Sequence, residues 1–80
     1  MAHNVSVYKG CNRLGTGTMT NGSATVSSYT AGVAGNSPAG KNVSVTITSG
    51  SAAGSTMWTR ILVDGTTTLT LKDPDPFTDT

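Results

Sequence analysis

His3 and Cys11 are the chain's one histidine and one cysteine, the side chains that general-base and nucleophilic chemistry most often uses. A Ser–His or Cys–His pair would have to recruit His3, which stands two residues from the start, where chains fray. It therefore reads as an ordinary terminal residue. Cys11 lies in Gly10-Cys11-Asn12 with no basic cluster to favour the thiolate, and reads as inert. Asp73, Asp75 and Asp79 suggest calcium, but they lack the loop with a central Gly and a terminal bidentate Glu that such sites use. Alternating Asp and Pro instead predict an extended, solvated segment. The Gly15-Thr-Gly-Thr18 stretch is followed by no Lys-Ser/Thr and opens no helix, so it does not form a phosphate loop.

Two further patterns have chemical readings. Thr-x-Thr runs could order water in a strict solenoid, but the chain has no fixed repeat, and outward Thr is simply a good strand former. Trp58-Thr59-Arg60 could stack a base or a sugar if exposed. Flanked by Met57 and Ile61, Trp58 is expected at the centre of the core, with Arg60 pairing an Asp or crossing a subunit boundary. No acid–base pair, metal cluster or cofactor motif emerges. The expectation is a non-enzymatic protein with no metal, cofactor or small-molecule substrate.

The elements around these residues read as all-β. Asn21-Gly22 joins two Thr-rich arms, residues 14–20 and 23–29, as a β-hairpin with a type I′ turn. Gly15 and Gly17 predict a bulge or a close backbone approach in the first arm. Residues 4–8 alternate as a first strand. In 42–48, Val43, Val45 and Ile47 share one face. The segment 56–63 is apolar on both faces, with Met57, Ile61 and Val63 opposite Trp58 and Leu62, as in a strand covered on both sides. Asp64-Gly65 is a second tight turn, leading to 67–72 with Leu69 and Leu71 inward. The result is about six short antiparallel strands without a helix, in a small sandwich or barrel. Residues 1–72 form one domain. Residues 73–80 form a Pro-containing extended tail that cannot enter a sheet interior.

Composition narrows the function. At 80 residues and 35% apolar, the chain has a small core, and domains of this size usually need a staple. One Cys excludes an internal disulfide, and one His excludes a Cys/His zinc site. Stabilisation by self-association, suited to a homotrimer, is the remaining expectation. Five scattered Lys or Arg against four Asp provide no footprint for nucleic acid. No run approaches a membrane span, no signal-like segment precedes the first strand, and a lone Cys suits a reducing compartment, so synthesis in the cytoplasm is expected.

The hairpin Gly-Thr-x-Thr-x-Thr-Asn-Gly-Ser-x-Thr-Val, the following Gly-rich loop, the strand AGKNVSVTI and then TRILVDGTTTLTL closing in Asp-Pro are similar to a small β-module of tailed bacteriophage virion proteins. The likeness covers roughly residues 14–77. Lys41 stands where an acidic residue is usual, and Trp58 stands near the usual Tyr. The free-standing form looks most like a capsid decoration, or cement, protein. The resemblance implies the capsid surface of the virion as its location and the major capsid protein as its partner. A head–tail connector, neck or tail protein is an alternative, as is a small adhesin or carbohydrate-binding domain. The expected gripping residues are Val5, Val7 and Tyr8 in the first strand, whose unpaired edge could extend a neighbour's sheet. Pro74, Pro76 and Phe77 in the tail, with Tyr29 and Val33, complete the candidate contact set.

Overall fold

In the computed structural model, which describes residues 2–31, 39–65 and 67–78, alternating side chains build six strands. These are β1 (Ala2–Lys9), β2 (Asn12–Thr20), β3 (Thr25–Ala31), β4 (Asn42–Ile47), β5 (Thr56–Asp64) and β6 (Leu69–Leu71). They close in the order β1-β2-β3-β6-β5-β4, every neighbouring pair antiparallel, and the described residues contain no helix. Of the two architectures the strand count allowed, the chain adopts the barrel. Each strand sends its inward residues to one core: Val5 and Val7, Met19, Val26 and Tyr29, Val43, Val45 and Ile47, Met57 and Ile61, Leu69 and Leu71.

Closure removes the free edges. β1 pairs with β2 along its whole length and with β4 from Val5 to Tyr8. The expected unpaired edge in the first strand is therefore absent. Val5 and Val7 are sealed inside the barrel, which removes them from any contact surface.

Irregularities in register decide which residues face in. Thr16 pairs with Thr30 and Thr18 with Ser27, so β3 carries one extra residue at this bulge. Val26 and Tyr29, three apart, would face opposite sides of a regular strand. The bulge turns both inward, and Ser28 takes φ 52° to do so. Opposite it, a Cβ on Gly17 would lie 2.5 Å from Val26 Cγ1, and one on Gly15 would lie 2.6 Å from the Tyr29 ring. The close approach expected of these glycines is what the structure contains. A second bulge gives β5 an extra residue against β6, since Ile61 pairs with Leu71 but Val63 with Thr70. Leu62 and Val63 both face outward in consequence, and with Trp58 also exposed β5 is not the strand covered on both sides that its apolar pattern predicts.

The turns follow their chemistry in part: Asp64 belongs to β5 and pairs with Leu69, so Asp64-Gly65 is not the expected tight-turn dipeptide. Gly10 at φ 62° begins the two-residue β1–β2 link, as a type II′ turn requires of its first central residue. At Asn21-Gly22 only Gly22 has positive φ, at 85°, and the turn closes through the Ser23 N–H donating to the Thr20 carbonyl. This is not the expected I′ turn. The β2–β3 link is longer than two residues, and the Asn21 side chain is engaged elsewhere.

Candidate functional site

At one end of the barrel the chain crosses its own opening. β1 points His3 inward beside Met19, and Asp75 arrives from the segment after β6 to meet it. His3 Nε2 and Asp75 Oδ2 pair with both side chains sealed from solvent. The other carboxylate oxygen accepts the Phe77 N–H at 2.8 Å. The Asp75 N–H donates to the Ser23 carbonyl at 2.9 Å, and its own carbonyl accepts the Gly22 N–H at 2.8 Å and Asn21 Nδ2 at 3.2 Å. Ahead of it, the Asp73 N–H donates to Thr59 Oγ1, whose hydroxyl in turn donates to Asp73 Oδ2 at 3.1 Å. The tail is thus anchored to β1, β5 and the β2–β3 turn.

Two expectations are corrected here. His3 is not a frayed terminal residue, and Asp75 is not solvated. Both are buried because each satisfies the other in a place where an unpartnered polar group would be costly. A His–Asp pair is a familiar catalytic component, but this one has no open face toward a substrate. Its geometry is that of a staple, joining residues 72 positions apart.

The expected contact residues separate accordingly. Val5, Val7 and Tyr29 are core residues. Burial pushes the Tyr29 pKa up, and the Asp64 carboxylate adds to the shift. Phe77 is half-buried and packs on the core, while Pro74 and Pro76 are exposed and Tyr8 is half-buried. Val33 lies outside the described residues.

The face that remains open was not anticipated. Trp58, expected in the core, is 77% exposed. Strict alternation along β5 places Met57, Thr59 and Ile61 inside, and Thr59 can occupy its inward position because it bonds Asp73. Trp58, Arg60 and Leu62 therefore form an outward row, extended by Val63. Across the strands, Arg13 pairs with Tyr8, Tyr8 with Ser44, and Ser44 with Trp58. Ser44 points outward between its inward neighbours Val43 and Val45, yet it is buried, because it is flanked by the two aromatic residues. Below this row Asn42 pairs with Arg60, and the Lys72 N–H donates to the Arg60 carbonyl. Arg60 Nε donates to the Gly40 carbonyl at 3.2 Å, which fixes the guanidinium against the sheet.

An open cleft of about 330 Å3 lies on this face, lined by Asn42, Trp58, Arg60, Lys72 and Asp73 among others. A cleft of similar volume on another side, bordered by Asn4, Thr16, Thr18, Ser28 and Thr48, has no charged or aromatic lining. Among the described residues no group of three His, Cys, Asp or Glu side chains could share a metal ion, and no helix is long and apolar enough to cross a membrane. The chemistry that the Trp58 face can perform is recognition: stacking, apolar contact and hydrogen bonding to acidic groups. The arrangement stands without a relative to interpret it, since no family model matches the chain, and neither a curated protein nor a solved structure matches it.

Proposed function

We propose that this chain is a non-enzymatic structural subunit of a virion, a capsid decoration or cement protein that binds the major capsid protein across the seams of the expanded head. The observation that carries the reading is the outward face of Tyr8, Trp58, Arg60 and Leu62 on a barrel without free edges. Trp, Tyr and Arg are the residues most enriched among interface hot spots, and here Trp58 and Arg60 share β5 while Tyr8 lies one strand beyond β4. Because closure leaves no edge to add to a neighbour's sheet, side chains on a face must do the gripping. A standard contact of about 800 Å2 per partner would cover roughly a fifth of the 4344 Å2 surface, a large share for so small a body. Such a barrel bridging two coat subunits would bury apolar area from both, and repetition over the lattice would turn modest contacts into resistance to internal pressure.

The test is to count this chain against the coat protein in purified particles by quantitative mass spectrometry. Copies in proportion to the coat protein support decoration. Copies sufficient only for a single ring move the protein to the neck or tail, and absence from particles ends the virion reading. A second reading, a carbohydrate-binding domain, draws on the exposure of Trp58 beside a cleft with polar lining. Titrating the tryptophan fluorescence with a panel of saccharides tests it. Saturable shifts abolished by Trp58→Ala would favour that reading.

A further inference from the structure

The partner that fits the Trp58 face can be specified by its chemistry. We propose that it is a protein surface presenting an apolar socket ringed by carboxylates, with Trp58 and Leu62 entering the socket and Arg60 and Lys72 meeting the ring. The proposal rests on the docking reading above and adds the sign and character of the partner.

Charge is distributed unevenly on this barrel. Arg60 and Lys72 are exposed at the cleft, and Arg13 is exposed beside Tyr8. Of the carboxylates, Asp73 is exposed on the same face. Asp75 is sealed against His3, and Asp73, though it borders the cleft, receives the Thr59 hydroxyl. Arg13, Arg60 and Lys72 against the one exposed carboxylate of Asp73 leave the face cationic. A cationic, aromatic face is complementary to an acidic one, which speeds encounter and rejects like-charged partners.

The same charges argue against other occupants. A second copy docked face to face would bring Arg60 and Lys72 against their counterparts, a like-charge contact that opposes such pairing. Single-stranded nucleic acid needs a continuous cationic track beside its stacking platforms. Here the row continues from Trp58 to Leu62 and Val63, aliphatic side chains that suit a protein socket. Arg60 is also held in place by its bond to Gly40, so less of its freedom is lost on binding.

The experiment uses the full chain and purified heads from the source that have been stripped of this protein, with binding read by cosedimentation. Trp58→Ala should weaken binding by about 30-fold or more, the effect of a hot spot. The double change Arg60→Glu with Lys72→Glu should weaken it at least tenfold at about 0.1 M salt, and the gap should narrow toward 0.5 M as screening grows. Thr30→Glu, on the opposite side of the barrel, should bind as the unaltered chain does. All these positions are exposed, and matching melting curves will show that each variant folds. If the charge-reversed variant binds normally while Trp58→Ala fails, the socket is not acidic: the inference falls and the docking reading stands. If the unaltered chain does not bind heads, both fall. Tighter binding to a dT20 oligonucleotide or to heparin than to heads would overturn the inference in favour of a nucleic acid or an acidic glycan. A dimer formed through Trp58 would overturn it in favour of self-association.

Discussion

Replacing Asp75 with Ala should damage the fold far more than its place in a Pro-rich tail suggests. The substitution removes the carboxylate from His3 Nε2 and from the Phe77 N–H, while the main-chain bonds to Gly22 and Ser23 could remain. Removing one member of a buried pair typically costs about 3–5 kcal/mol. Against this, a domain of 80 residues at roughly 0.05–0.15 kcal/mol per residue has about 4–12 kcal/mol in total. At about 4–8 °C per kcal/mol for a domain of this size, the melting temperature should fall by at least about 12 °C. Thermal unfolding followed by far-UV circular dichroism measures it. Asp75→Asn, which keeps the shape and an acceptor for Phe77, should lose less. His3→Ala and the double variant complete a cycle, in which the two single effects should fail to add by about 1 kcal/mol or more. A melting temperature within about 4 °C of the unaltered protein for Asp75→Ala, or strict additivity, would refute the staple.

Three other outcomes are expected. Gly15→Ala should destabilise by about 1–3 kcal/mol in urea unfolding, because the new methyl group would collide with the Tyr29 ring and the Thr30 carbonyl. Ser28→Gly should be neutral or stabilise by up to about 1 kcal/mol, whereas Ser28→Val should destabilise despite its strand propensity, since φ is 52° there. Alkaline titration should lower stability as pH rises above the ordinary tyrosine value of 10.0. The unfolded Tyr29 releases its proton there while the folded one still holds it, so the fold binds more protons and loses stability with pH. Tyr29→Phe should flatten that slope in denaturant melts across the alkaline range.

Much of the scaffold was legible because its signals are local. The alternation of Val43, Val45 and Ile47, the inward Leu69 and Leu71, and the glycines opposite Tyr29 all act within a strand or one hairpin. The open face was harder to read. Trp58, flanked by Met57 and Ile61, reads as core, yet the smaller Thr59 enters the core instead, through a bond to Asp73 from beyond β6. The bulge at Leu62 changes parity and leaves Leu62 and Val63 both outward, and nothing in the residue types of 61–63 announces it. The His3–Asp75 pair had no sequence signal at all. Neither residue lies in a motif, and burial is decided by the closure of a barrel that brings distant segments together.

That pairing has a consequence for the order in which the molecule is built. Of the six strands β1 comes first in the chain, yet its place in the barrel is complete only when β4 lies along one side and Asp75 reaches His3. A nascent chain that has exposed only β1, β2 and β3 has a hairpin sheet with one edge of β1 still open and His3 still waiting for its partner. Contacts at such long sequence separation slow folding, because loop closure must precede them. Of the six strands, the one made earliest is therefore secured last, when residue 75 reaches it.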